Sequence, residues 1–306
     1  MNSRSSSTVF NVCFGGGAPA TAAWSLPIPV LAGETNEAIF EGLVELPQRK
    51  GFRLFERDGL LVGAIDVPAE VDLTAQSQRI YHTLLQIAEG RRLARVWNYV
   101  PSINEPDAAG LENYRAFCLG RSHAFEENLG AVYHGHLPAA SAVGGVEGRL
   151  SVIFAATRTV PAHVENPDQV PAYEYPLEHG PRAPSFARAT RVDEAGCRYV
   201  FISGTASIKG HATVAVGDLT GQIACTLDNL RIVSRGCGLG ERFGAAGEWT
   251  RYFKVYLRHA ADYPAAAALL DGVLFTGTDH VTWLLSDICR AALLIEIEAT
   301  LVAAAV

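Results

Sequence analysis

The sequence predicts a mixed α/β (α+β) protein made of two similar units in tandem. The chain has 306 residues, of which 49% are hydrophobic, enough to bury a sizeable core and to form about two domains of ~150 residues each. The motif Asp-Leu-Thr-x-Gln occurs at 72–76 and again 146 residues later, at 218–222. Patterns typical of strands and helices surround both copies in the same order. We therefore expect an N-terminal domain over 1–160 and a C-terminal domain over 161–306.

Each unit begins with two strands and a helix. In 51–76 and in 197–222, an alternating strand, a turn and a second short strand lead to the shared motif, which opens a helix. Apolar residues continue beyond the motif at amphipathic spacing. Asp72 and Asp218 are expected to be N-caps, because a carboxylate there accepts hydrogen bonds from the unpaired N–H groups of the first turn.

Each unit continues with a strand, a helix and a closing apolar strand. These elements are predicted at 92–100, 111–128 and 150–156 in the first unit, and at 251–259, 261–273 and 293–299 in the second. Four prolines between 161 and 176 indicate that the joint, from about 157 to 175, is a loop. Residues 1–35 are rich in Ser, Gly, Ala and Pro, which predicts a partly irregular segment.

Charge and hydropathy argue against nucleic-acid and membrane partners. The net charge is −7 and no run of Lys or Arg is longer than two residues, so no nucleic-acid partner is expected. No apolar run reaches the ~18 residues of a membrane span, and the polar first residues lack the apolar core of a signal peptide. We therefore expect a cytoplasmic protein with no membrane partner, while the oligomeric state is left open.

Cysteines and histidines form no recognisable cofactor or metal motif. The six cysteines lie far apart, with no C-x-x-C pair, so we expect reduced thiols and neither zinc fingers nor disulfides. His134-x-His136 is the one close histidine pair, and no cysteine or carboxylate stands at a supporting spacing. The triple glycine at 15–17 is not followed by the rest of a phosphate-binding loop motif. We expect no metal and no organic cofactor.

Three stretches combine polar groups with positions expected to face a cleft. Residues 178–188 hold Arg182 on a rigid Gly-Pro turn, where its planar fork would suit a carboxylate unless it is a surface arginine. Residues 203–207 have almost no side-chain volume. This composition indicates either that a ligand approaches the backbone closely or that the chain forms a hairpin turn here. Arg258 stands at the end of the predicted strand 251–259.

A fourth stretch, 289–299, puts two glutamates on an otherwise apolar strand. Period-2 alternation places Leu293, Ile295 and Ile297 on one face and Glu296 and Glu298 on the other. A carboxylic acid in a partly dry pocket has a raised pKa and can donate a proton near neutral pH. Two solvent-facing glutamates are the alternative.

Motifs of the second unit resemble the reactive-intermediate deaminase (YjgF-type) fold. GPRAPSFARA at 180–189 is similar to the Gly-Pro-Tyr-Ser-Gln-Ala segment of that fold, FISGTASI at 201–208 to its Phe-x-Ser-Gly strand, and LLIEIEAT at 293–300 to its closing strand. The resemblance implies two tandem YjgF-like units, each a mixed sheet with helices packed on one face. It also implies that the first unit is degenerate and that the second holds most of the active site.

Further motifs resemble the chorismatase family, whose members split chorismate into pyruvate and a ring product. They are RVWNYVPSIN at 95–104, ENYRAFCLGR at 112–121, then GPRAPSF, SGTASIKGH and ICRAALLIEIEA, in this order. The similarity covers roughly 50–302. It implies chorismate as a small-molecule substrate, acid catalysis on its enol ether, and no cofactor.

The chorismatase resemblance also implies roles for individual residues. Glu296 corresponds to the catalytic acid, and Cys289 is assigned to catalysis beside it, in a position that together with Gly204 influences the product. The residues implied to hold the substrate are Arg182, Arg258, Tyr114, Arg121, Gly204 and His179. His179 stands where the family usually has tyrosine.

The product depends on the step after protonation. The glycine at 204 and the thiol at 289 resemble the residues of those family members that form 3-hydroxybenzoate. In that branch the ring hydroxyl displaces the side chain and the ring aromatises. Entry of water would instead give a dihydroxy-cyclohexadiene carboxylate. An enamine or imine deaminase and a non-catalytic metabolite-binding protein are further alternatives, because a fold alone does not determine function.

Overall fold

The computed structural model describes residues 8–16, 24–130, 133–244 and 247–305. In chain order its strands are β1 Thr8–Phe14, β2 Trp24–Leu26, β3 Val30–Gly33, β4 Asn36–Arg49, β5 Phe52–Arg57, β6 Leu60–Pro68, β7 Arg92–Val100, β8 Ala139–Gly144, β9 Arg149–Thr157, β10 Ala162–Val164, β11 Ala189–Glu194, β12 Cys197–Ala206, β13 Ile208–Lys209, β14 Ala212–Thr213, β15 Thr250–Leu257, β16 His280–Leu285 and β17 Ile295–Ala304. The helices are α1 Leu73–Ile87, α2 Asn113–Leu129, α3 Leu219–Gly236 and α4 Tyr263–Leu270. No helix within these ranges is long and apolar enough to cross a membrane.

Two units of the same topology confirm the predicted fold class. The first sheet contains the strand order β5-β6-β9-β7-β8, and the second contains β11-β12-β17-β15-β16. In both, the third and fourth strands of the unit are parallel and a helix connects them, while the closing strand lies antiparallel between its neighbours. Asp72 and Asp218 cap α1 and α3 as predicted, each accepting a hydrogen bond from a first-turn N–H.

The two sheets pack face to face, with helices on the outside. Aromatic side chains of both sheets, including Phe40, Trp97 and Phe201, form the core between the sheets. A second core lies between the first sheet and α1 and α2, and a third between the second sheet and α3 and α4. This arrangement buries both faces of each sheet, which explains why the strands read as nearly continuous apolar runs.

The segment before the first unit is more regular than predicted. Within 1–35, the described residues form β1, β2 and β3, because alternating Phe10, Val12 and Phe14 fill the core between the sheets. Residue 17 of the triple glycine lies outside the described residues. β3 pairs with β16, so a strand from the start of the chain completes the edge of the second sheet. The division of the chain at residue 160 stays a prediction.

Three element boundaries in and near the second unit differ from the predicted ones. The predicted closing strand 293–299 begins at Ile295 and runs to Ala304, because a turn joins Leu293 N–H to the Arg290 carbonyl. The predicted helix 261–273 is a 3₁₀ turn followed by α4. The joint contains the short strand β10, which pairs with β11.

Candidate active site

A cavity of about 490 Å³ lies where the two units meet. The first unit contributes residues at the beginning of α2. The second contributes the end of β12, the start of β17 and the loop that precedes β17. The 3₁₀ segment Leu177–His179 supplies part of the wall. This volume lies within the range of about 300–1,000 Å³ that is usual for small-molecule sites.

Glu296 is a buried carboxyl group that lines this cavity. It is 3% exposed, and strand alternation turns it away from the helical layer in which its neighbours Ile295 and Ile297 are packed. Its Oε2 lies 3.8 Å from Sγ of Cys289. Burial, and then the negative charge of Glu298, raise the pKa of Glu296 to about 8. The group is therefore protonated at neutral pH and can act as an acid.

Glu298, on the same face of β17, belongs to a buried ionic network between the sheets. Its carboxylate accepts from Arg95 Nη2 at 2.7 Å and from Lys254 Nζ at 2.7 Å. Lys254 also contacts Glu37 Oε2 at 2.6 Å. Although burial opposes its ionisation, these two cations hold the pKa of Glu298 below its ordinary value. The pKa values of the two carboxyl groups of β17 therefore differ, as they do in active sites where one group is an acid and another a base. Glu298 stays ionised, and its charge adds to burial in keeping Glu296 protonated.

Gly204 gives Glu296 the space it occupies. A Cβ atom on Gly204 would lie 2.0 Å from Oε1 of Glu296 and 2.7 Å from its Cδ. Gly204 follows Ser203 in a bulge, where the pairing of β12 with β17 shifts register before Thr205. The absence of a side chain at 204 therefore makes room for the Glu296 carboxyl group itself, and not only for a substrate ring.

Cys289 and Tyr114, two more of the predicted residues, also line the cavity. Burial and the adjacent Glu296 carboxyl raise the pKa of the Cys289 thiol, so the sulfur is a neutral thiol and not a thiolate nucleophile. Burial likewise raises the pKa of the Tyr114 phenol. Both side chains are therefore uncharged hydrogen-bonding groups next to the acid.

His179 also lines the cavity, together with Glu178. Its Nε2 lies 3.0 Å from Nδ1 of His211, and its ring packs against Tyr175 with centroids 5.3 Å apart. Burial, and then the charge of Arg290, lower the pKa of His179. The imidazole that replaces the family's tyrosine is therefore neutral at neutral pH.

The structure does not bring the three predicted arginines to the cavity. Arg182 forms a half-buried ion pair with Glu126 at 3.0 Å. Arg121 is buried between α1 and α2, where its guanidinium lies 5.1 Å from the ring centroid of Phe117. Arg258 donates to the carbonyls of residues 288, 290 and 293. Arg258 thus holds the loop before β17 in shape, and the carboxylate contacts implied for the three arginines stay predictions.

Three other arginines line the cavity, and the sequence patterns did not predict a role for them. Arg115 follows Tyr114 and pairs with Glu112 at 3.0 Å. Arg188 donates to the Tyr175 hydroxyl at 2.9 Å, and its buried Nε has no hydrogen-bond partner among the described residues. Arg290 donates to the carbonyl of residue 211. Each stands within a motif quoted above, but nothing in the spacing indicated which arginine faces the cavity.

Comparison with known proteins agrees with this arrangement. The family description "Chorismatase FkbO/Hyg5-like, N-terminal" matches residues 39–156. The chain is 37% identical over 262 residues to a 3-hydroxybenzoate synthase of Streptomyces hygroscopicus, covering 79% of this chain and 76% of that protein. It is 36% identical to a chorismatase of the same organism, covering 83% of this chain and 75% of that protein. A chorismatase crystal structure superposes with a TM-score of 0.80 at 30% identity, covering 96% of this chain and 92% of that one. The chain therefore belongs to the chorismatase family.

Proposed function

We propose that this protein cleaves chorismate to pyruvate and 3-hydroxybenzoate, with Glu296 as the general acid. One observation supports this above all: a carboxyl group that is protonated at neutral pH faces a cavity that three arginines also line. Chorismate is a dianion that contains an enol ether. An acid for the enol ether and cations for the two carboxylates are the groups that its cleavage requires.

The first step is proton transfer from Glu296 to the terminal carbon of the enol-pyruvyl group. Positive charge develops on the carbon that bears the ether oxygen, and the Glu296 carboxylate formed in the same step stabilises it. The oxygen of the neighbouring ring hydroxyl then attacks the ring carbon that carries the ether oxygen; the bond from this carbon to the ether oxygen breaks, pyruvate leaves, and the hydroxyl proton returns to the Glu296 carboxylate. The attacking oxygen now bridges two ring carbons. Its bond to its original carbon breaks, the other carbon loses its proton, the oxygen gains one, and the ring becomes aromatic as 3-hydroxybenzoate. 3-Hydroxybenzoate and pyruvate together contain all the atoms of chorismate, so this route consumes no water.

We further propose that Arg115, Arg188 and Arg290 receive the two carboxylates. A guanidinium can bind a carboxylate through two parallel hydrogen bonds. Arg188 Nε supports this: it faces Glu165 Oε2 at 3.9 Å but makes no hydrogen bond among the described residues, and a buried donor without a hydrogen bond is costly unless a ligand supplies one. Tyr114 and His179 are proposed to supply neutral hydrogen bonds to the rest of the substrate.

Part of the cavity wall is apolar, and this part favours the route that excludes water. Ala206, Ala291 and Ala292 line the cavity with the Cys289 thiol, and none of these side chains binds water strongly. A water that attacked the ring would need polar groups to hold it in position. This composition supports 3-hydroxybenzoate over the dihydroxy-cyclohexadiene carboxylate.

The test is incubation of the purified protein with chorismate, with pyruvate followed by a coupled dehydrogenase assay and ring products separated by chromatography. We expect equal amounts of pyruvate and 3-hydroxybenzoate. Glu296→Gln keeps the shape of the side chain but lacks the acidic proton, so pyruvate release should fall by at least the ~10²-fold that general acids contribute. Pyruvate release by the variant at the wild-type rate would refute the role of Glu296. Binding of chorismate without any turnover by the wild-type protein would favour a metabolite-binding protein.

A further inference from the structure

Two histidines and a glutamate meet beside the cavity, whose lining includes Glu178 and His179. His179 Nε2 lies 3.0 Å from His211 Nδ1. Glu178 Oε1 lies 3.3 Å from each of these nitrogen atoms. Three ligand-type atoms thus form a nearly equilateral triangle, and we propose that Glu178, His179 and His211 form a binding site for one divalent transition-metal ion, with Zn²⁺ as its best occupant.

The size of the triangle suits a metal ion. Zn²⁺ binds histidine nitrogen and carboxylate oxygen at about 2.0–2.2 Å in tetrahedral geometry, which puts neighbouring ligand atoms about 3.3 Å apart. The observed separations of 3.0, 3.3 and 3.3 Å agree with that requirement. Two imidazoles and a carboxylate are also the ligand types that borderline divalent ions select, whereas Mg²⁺ and Ca²⁺ prefer oxygen alone.

Hydrogen bonds alone do not satisfy these three atoms. If both histidines are neutral, a single proton can join the two nitrogens, and the carboxylate oxygen then faces a nitrogen lone pair at 3.3 Å. A divalent ion at the centre accepts all three lone pairs at once.

The backbone that carries the three ligand residues is held by hydrogen bonds before any ion binds, and the Glu178 side chain itself is exposed. Glu178 and His179 belong to a 3₁₀ turn, in which the His179 N–H donates to the Pro176 carbonyl at 3.0 Å. His211 stands in the tight turn between β13 and β14, and Arg290 donates to its carbonyl at 2.9 Å. Preorganisation of this kind is what a metal site needs from its surroundings. The charge of Arg290 also repels a cation, so we expect micromolar rather than tighter affinity.

Three protein ligands leave at least one coordination position for water or for a carboxylate. Because Glu178 and His179 line the cavity, the ion would add positive charge to the wall that an anionic substrate passes. The site itself requires no assumption about the chemistry at Glu296.

The experiment is calorimetric titration of the chelator-treated protein with ZnCl₂, combined with visible and near-ultraviolet spectra of the Co²⁺-loaded protein. We expect one ion per chain, bound with micromolar affinity, and Co²⁺ bands without a thiolate charge-transfer band. His211→Ala and Glu178→Gln should each weaken Zn²⁺ binding by more than the ~10-fold that even a lost outer partner costs. The matched control is His136→Ala, which removes an exposed imidazole from another 3₁₀ segment and should leave binding unchanged.

Several results would overturn this proposal. They are a wild-type protein that binds no Zn²⁺, binding that survives both His211→Ala and Glu178→Gln, loss of binding in His136→Ala, and a thiolate band that assigns the ion to a cysteine. Far-ultraviolet circular dichroism of each variant separates loss of the site from loss of the fold. A variant that is unfolded is replaced by His179→Gln, to which the same criteria apply.

Discussion

The protonated state of Glu296 makes a prediction about folding that needs no substrate. In the folded protein its pKa is about 8, whereas an unfolded chain has a glutamate pKa of about 4.3. The folded state therefore binds one more proton than the unfolded state at any pH between these values. The sign comes from linkage: stability from this group is fully present below the unfolded pKa and is lost as the pH rises through the folded pKa. The slope is about −1.4 kcal/mol per pH unit, and the total loss approaches about 5 kcal/mol.

Glu296→Gln removes this titration while keeping the shape of the side chain. We expect the free energy of unfolding of the wild type, minus that of the variant, to fall by about 3 kcal/mol between pH 5.5 and 7.5. Urea denaturation followed by tryptophan fluorescence measures it, and titrations of all other groups cancel in the difference. Glu147→Gln, which removes an exposed carboxyl, controls for the general effect of losing one negative charge. A difference that stays constant with pH would mean that Glu296 is ionised in the folded protein, and the acid mechanism would fail with it.

Four further substitutions test the site and the structure around it. Gly204→Ala puts a methyl group 2.0 Å from the Glu296 carboxyl, so pyruvate release should fall by about 10²-fold. Turnover at the wild-type rate would show that the Glu296 side chain can act from another position. Lys254→Met leaves two buried carboxyls without their shared cation and should cost about 3–5 kcal/mol of unfolding free energy; a loss below about 1 kcal/mol would speak against the network. Arg258→Lys loses hydrogen bonds to carbonyls of the loop before β17 and should lower stability by about 1–3 kcal/mol, whereas Arg182→Lys, at a half-buried ion pair, should change it by less than about 1 kcal/mol. Denaturation curves that rank these two variants in the opposite order would contradict the structural role given to Arg258.

Much of the fold could be predicted from local sequence patterns, because these patterns report backbone behaviour. Asp72 and Asp218 mark helix starts through a capping interaction that spans only three residues. The alternation around Glu296 gives the face of the strand, since side-chain direction in a strand depends on parity alone. Among the N-terminal strands, β3 could not be predicted because its pairing partner β16 lies far away in the chain.

The arginines show where sequence interpretation stops. Arg258 stands at the end of a strand, and Arg290, which belongs to one of the family motifs, follows it in the chain by about 30 residues. The first donates to loop carbonyls, while the second lines the cavity. A long side chain has many rotamers, so its target depends on which carbonyl or cavity the tertiary fold puts within reach. Helix register raises the same difficulty for Arg121, which turns into the α1–α2 interface, whereas Arg115 turns to the cavity.

The pairing of β3 with β16 has a consequence for how the chain folds during synthesis. Ala32 and Trp283 are register partners, so the ribosome makes one about 250 residues before the other, which corresponds to roughly 12–50 s at ordinary translation rates. During that interval β1 and β4 can already join the first sheet, although they stand on either side of β3 in the sequence. β3 still lacks the strand with which it pairs. Closure of so long a loop costs entropy that only late contacts repay. Addition of β3 to the second sheet is therefore a final step of folding, and it covers the edge of β16, which would otherwise be open to pairing with another chain.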